Sequence, residues 1–259
     1  MKTPIKTKTN FYCGNALKDL IPKDRKLKSL LLYSGQLECE LSFSDYDLTM
    51  ITNKWAIFEF WDCLIKNPYL IVDMADGLHE KLNPQMVYLM QDNWPRFKDP
   101  YFRSAMFLLL NKYSSDGTIS HGQFDTSNYS LLSGKSLINF CENYDLSKLR
   151  LNYKKAEKYY ECLSEIEDDE VLFLPVGKIG ASPLGIQTRI GHEVYDLNYN
   201  KLKSILHEYK KDFVVSCCYN QRIMRDHSNF NTLLVAPGGE ITSDPTIAAE
   251  MIITNLRNP

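Results

Sequence analysis

The sequence predicts an α/β fold: a mainly parallel sheet with helices on both faces, interrupted by a helical insertion that carries a hairpin. Three observations lead there. Short apolar runs of strand character alternate with helix-period segments at both ends of the chain. The block between them, residues 67–168, is helix-forming and polar. With 44% hydrophobic residues in 259, there is enough apolar material for a real core. The expected core is therefore 1–66 together with 169–259, and the insertion 67–168.

Each element has its own signal. "FYCGNALKDLIPKD" gives a Gly-Asn turn and a short amphipathic stretch, Leu17, Leu20 and Ile21, stopped by Pro22. "KSLLLYSGQLECEL" reads as a strand over Leu30 to Tyr33, a tight turn at Gly35 and a helix from Gln36. "YDLTMIT" is a second strand, and "KWAIFEFWDCLIKNP" is a helix whose Ile57, Phe58, Trp61, Leu64 and Ile65 share a face. Inside the block, "QMVYLMQDNW", "DPYFRSAMFLLLNKY" and "KKAEKYYECLSEI" are helix-forming. Between the last two, "SSDGTISHGQFDTSNYSLLSG" is rich in Ser, Gly, Asn and Asp and reads as a loop or exposed hairpin. Strands resume at "EVLFLPV", where Pro175, Val176 and Gly177 predict a turn. A helix follows at "NYNKLKSILHEYKK", then strands at "DFVVSCCY", "FNTLLVA" and "AAEMIITNL".

Charge and cysteine usage exclude several classes. Thirty Lys and Arg against 32 Asp and Glu leave a net charge of −2, so no global field draws the chain to nucleic acid or anionic lipid. Cys13, Cys39, Cys63, Cys141, Cys162, Cys217 and Cys218 form no C-x-x-C pair and no zinc spacing, so reduced core cysteines and no metal are expected. "MKTPIKTKTN" lacks the apolar stretch of a signal peptide, and no run approaches the ~20 apolar residues of a bilayer span. The expected location is the cytoplasm, with no membrane partner.

In this order the elements resemble the Dam-type DNA adenine methyltransferases of bacteria and bacteriophages. Phe11, Tyr12, Gly14, Asn15, Leu20, Ile21 and Pro22 are similar to that family's opening aromatic-x-Gly turn and Leu-Leu-Pro helix. Leu32, Tyr33 and Gly35 resemble its acidic-Leu-Phe-x-Gly-Gly motif, and Asn53, Lys54 and "LIKNP" its next helix. Gly122, Gln123 and Phe124 are placed like its DNA-entering Gly-x-Phe hairpin, and "AAEMIITNL" is similar to its closing strand. The resemblance implies a Rossmann-like methyltransferase sheet. If the chain were phage-encoded, the location would be the bacterial host's cytoplasm.

The departures from the family pattern fall on its chemistry. The resemblance implies a cofactor site for S-adenosylmethionine at Tyr12, Gly14, Leu31, Tyr33, Gly35, Gln36 and Thr52. Leu31 and Thr52 stand where the family has cofactor-binding acids, and Gln36 where it has a second glycine. The family lysine after the first turn is Ala16 here, with Lys18 two residues on. The catalytic Asp-Pro-Pro-Tyr tetrad aligns with Leu174, Pro175, Val176 and Gly177, which lack the amine acceptor and the base-stacking ring. Losing one positioned electrostatic group commonly costs roughly 3 to 4 kcal/mol of transition-state stabilisation, so no catalytic residue and no cofactor are expected.

The expected role is a binding one, toward double-stranded DNA, an active methyltransferase or another protein. Residues Lys112, His121, Gln123, Phe124, Asn128, Tyr129 and Lys135 are the candidate nucleic-acid contacts. "KTPIKTKTN", "IPKDRKLK", "KLRLNYKK" and "NQRIMR" are further candidates for phosphate contact. The alternative is an active S-adenosylmethionine-dependent enzyme with altered motifs, and a second alternative is an assembly component that binds neither cofactor nor DNA. Rescue of activity would fall to Asp45 or Asp47 for the ribose, or to Asp168, Asp169, Glu170 or Asn220 for the base; each carboxylate reads more simply as a charged turn. His121 and His227 read as surface histidines and Lys178 as a lone cation.

Overall fold

The computed structural model describes residues 2–7, 11–31, 34–119, 123–155, 159–178 and 199–256. Its centre is an eight-stranded, mostly parallel sheet in the order β3-β2-β1-β4-β5-β8-β6-β7. The strands are β1 (Lys26–Leu30), β2 (Leu48–Thr52), β3 (Arg150–Tyr153), β4 (Glu170–Gly177), β5 (Phe213–Cys218), β6 (Asn231–Val235), β7 (Ile241–Thr242) and β8 (Glu250–Thr254). Strands β3, β2, β1, β4 and β5 run parallel, while β8 lies antiparallel between β5 and β6. Chain order reverses between β1 and β4, and in open α/β sheets ligand sites lie at such a switch point, outside the strands' carboxyl ends.

Alternation of side chains along β4 explains how both faces are buried. Val171 and Phe173 join the larger apolar cluster, while Leu172, Leu174 and Val176 join the smaller one on the opposite face. The larger cluster also takes α1 (Gly14–Leu20), α2 (Gln36–Phe43), α3 (Trp55–Lys66), α4 (Pro68–His79), α5 (Pro84–Asn93), α6 (Pro100–Tyr113) and α7 (Leu131–Asn143). The smaller cluster is closed by the 3-10 segment Tyr159–Glu165 and by α8 (Tyr199–Glu208); a short α9 (Gln221–Asp226) follows β5. Helix starts follow local chemistry: Asn67, Asn83 and Asp99 each precede a proline and accept a backbone N–H as N-cap.

Four sequence expectations are corrected. Strand β1 ends at Leu30 instead of beginning there, because Lys26 and Lys28 belong to it and reach Asp169 and Glu170. Strand β4 does not turn at Pro175: it continues through Gly177, with a register shift between Pro175 and Gly177 that accommodates the proline. Arg150–Tyr153, within the block expected to be helical, is an edge strand paired with β2. Among its described residues the Ser/Gly-rich stretch forms a single bridge, Ser114 to Phe124, and its first half packs inward: Thr118 and Ile119 are buried and Asn111 bonds Lys6 and Gly117.

Candidate functional site

Three segments meet at the carboxyl end of the sheet. The first is the turn before α1, where the backbone N–H groups of Tyr12 and Cys13 donate to one Glu250 carboxylate oxygen at 2.7 and 2.8 Å. Glu250 opens β8 and is fully buried; burial raises its pKa, against the lowering pull of those two donors. Its other oxygen has no partner among the described residues. Cys13 lies 3.0 Å from the Ser216 hydroxyl, and burial pushes its thiol well up. Gly14 begins α1, with the Glu40 carboxylate where a Cβ would project. Lys18 is turned away to that same Glu40, at 3.1 Å.

The second segment joins β1 to α2. Leu31 is buried and donates its N–H to Ile51 O. Gly35 adopts a left-handed conformation, φ 72°, and a Cβ there would lie 3.3 Å from Leu31 and 3.4 Å from Trp61. Gln36 uses its amide to donate to Phe11 O at 3.3 Å, so it ties the turn before α1 to α2. Tyr33 lies outside the described residues. The third segment follows β2: Thr52 is buried and its hydroxyl accepts from Lys54 N, while Asn53 and Lys54 are buried beside it.

Leu174, Pro175 and Val176 are buried in the sheet, with Leu174 inside the smaller apolar cluster. Gly177 has φ 57°, in the left-handed region. Proposed rescuers do not reach this end. Asp45 and Asp47 precede β2, paired with Lys148 and Arg150, and Asp168, Asp169 and Glu170 stand at the start of β4, paired with Lys211, Lys26 and Lys28. An eight-residue strand separates those last three from Gly177, about 25 Å. Asn220 is at the right end, but its side-chain oxygen caps α9 by accepting from Arg222 and Ile223. Lys178 is exposed at the end of β4.

The candidate nucleic-acid residues are not presented together. Tyr129 is a core ring whose hydroxyl donates to Asp76, which corrects its expected stacking role. Lys112 is half-buried, and Phe124 meets the Tyr88 ring edge to face at 6.3 Å. Asn128 is exposed, yet its amide donates to Tyr113 O; Gln123 and Lys135 are exposed, and His121 lies outside the described residues. His227 is no surface histidine: it is buried and stacked on His207 at 5.4 Å, and burial lowers its pKa. Among the described residues no group of His, Cys, Asp and Glu is arranged to hold a metal, and no helix is long and apolar enough to cross a membrane.

Sequence reasoning missed Glu38. It sits in the first turn of α2, fully buried, accepts from the Ser29 hydroxyl at 3.1 Å, and is raised to about 7 by burial. A carboxyl whose folded pKa is raised contributes fully below the ordinary carboxylate range and loses that contribution as pH climbs toward 7. Glu38→Gln is therefore expected to raise stability at pH 8, by up to about 3 kcal/mol and with a matching rise in melting temperature, and to change little at about pH 3.5. Melts of both proteins at the two pH values check this; equal differences at both would contradict it.

Compared with known proteins, the chain matches no family model and no curated protein.

Proposed function

We propose that the chain is a catalytically degenerate relative of the Dam-type adenine methyltransferases. In this reading it keeps the sheet as a scaffold and acts through binding, as a non-catalytic subunit or repurposed phage protein. The doubly wound order around a switch point, with the closing strand inserted antiparallel, accords with a Rossmann-like methyltransferase sheet. The observation that carries the reading is Leu174: the position expected to accept the adenine amine is an apolar side chain buried in a core cluster.

The residues present do not fit S-adenosylmethionine. Leu31 and Thr52 offer no carboxylate, the Thr52 hydroxyl is committed to Lys54 N, and the Gln36 side chain spans to Phe11 where a glycine would leave room. A protein partner is favoured over DNA, because Lys148, Arg150 and Lys154 are each neutralised by a carboxylate and Tyr129 is withdrawn into the core.

Two measurements test this. Calorimetric titration with S-adenosylmethionine, alongside a radiolabel assay on adenine-containing duplex DNA, is expected to give neither heat nor label; micromolar binding with transfer would establish the active alternative. A gel shift at low salt is expected to be flat. A retarded band whose affinity falls steeply with salt would move the binding role to nucleic acid.

A further inference from the structure

An apolar surface that shares no residue with the candidate site lies in the helical block. Between α4, α5 and α6 runs an open cleft of about 460 Å³. Leu78, Leu82, Phe102 and Met106 line it together with Met90 of α5, and so do α5's Met86, Leu89 and Asn93. Those last three sit at i, i+3 and i+7, the spacing of a ridge that a helix inserts into a groove. Core packing accounts for the inward side of α5, where Val87, Met90 and Gln91 are buried, but not for its outward side. There Leu89 is 64% exposed, Tyr88 55% and Met86 41%, and Phe97 at the cleft's end is 44% exposed.

We propose that this face is where two copies of the chain associate, α5 of each lying against the cleft of the other. Ridge and groove occupy the same face of one molecule, so a twofold rotation pairs them without a second surface; that is the condition for a closed, isologous dimer. The areas agree. Those four side chains expose roughly 400 Å², which matches the non-polar share, a little over half, of the ~800 Å² per partner buried in a standard interface. Electrostatics do not oppose the contact, because the cleft is lined by one charged side chain, Arg96, whose guanidinium donates to Asn93 at 3.3 Å. Three methionines in the lining, Met86, Met90 and Met106, let the two apolar faces adjust to each other. The dimer does not depend on the candidate site or on the methyltransferase resemblance.

Sedimentation velocity across a concentration series from about 1 to 200 μM tests it, a range suited to micromolar association. The weight-average mass is expected to rise from 30.0 kDa toward twice that value. Leu89→Glu, on a solvent-facing position, is expected to leave the melting curve of the monomer unchanged and weaken association at least tenfold. If that substitution lowers the melting temperature, Met86→Glu on the same ridge serves in its place. A mass fixed at 30.0 kDa throughout, or a folded ridge variant that dimerises like the wild type, would overturn the proposal.

Discussion

Replacing Glu250 by alanine is expected to lower stability by up to about 4 kcal/mol, because the part-buried Tyr12 and buried Cys13 N–H groups both lose their acceptor. For a chain of this size that corresponds to a fall of up to roughly 8 to 16 °C in melting temperature. Glu250→Gln should behave differently: the amide keeps an acceptor oxygen for both donors and carries no charge to bury. Because the folded pKa of Glu250 is raised, its contribution is complete at acid pH and shrinks as pH rises above the ordinary carboxylate range. The glutamine protein is thus expected to equal or exceed the wild type at pH 8, with no such advantage at acid pH. Thermal melts of the three proteins decide the matter, and an alanine variant melting with the wild type would mean that the clasp is ornamental.

The second large effect concerns the degenerate tetrad. Writing the family's chemistry back in, as Leu174→Asp with Gly177→Tyr, is expected to restore no methyl transfer and to damage the fold. The aspartate would enter an apolar cluster with Tyr159, Val176, Leu202 and Phe213, at a cost of at least about 4 kcal/mol from lost burial and an unpaired carboxyl. Tyrosine at Gly177 would have to adopt φ near 57°, which costs roughly another 1 to 2 kcal/mol. Denaturant midpoints for the two single variants separate these contributions, and a radiolabel assay on duplex DNA reads the activity. Methylation by the double variant would show that Leu31, Gln36 and Thr52 still hold a usable cofactor site.

Much of the sheet was legible because its strands carry unbroken apolar runs: "EVLFLPV", "DFVVSCC" and "EMIIT" are buried on both faces and read as such. Strand β3 was not, since Arg150, Asn152 and Tyr153 face outward and only Leu151 is half-buried. Such an edge strand is made by its neighbour more than by its own composition. The misplacement of β1 has a related cause. Lys26 and Lys28 dilute its apolar signal, while their partners Asp169 and Glu170 lie more than a hundred residues away. Helix α7 was hidden by the Ser and Gly residues around its start, although a Ser130–Ser133 capping box and Gly134, packed on Val72, give those residues structural work. At the candidate site, residue types were readable and directions were not. Sequence alone could not tell that Asp45 and Asp169 stand at the wrong ends of their strands, or that Glu250 has a structural partner 238 residues upstream.

Insertion of β8 between β5 and β6 sets an order on biosynthesis. As the polypeptide leaves the ribosome, β5 and β6 emerge with an unfilled lane between them, and the Tyr12 turn emerges long before its acceptor. Neither can be satisfied until translation has passed Thr254, so the nascent chain carries two open strand edges from the emergence of β5 and β6 until β8 follows. A chain that ended before Glu250 would therefore leave β5 and β6 each with an unpaired edge, and it is expected to aggregate more readily than the whole chain.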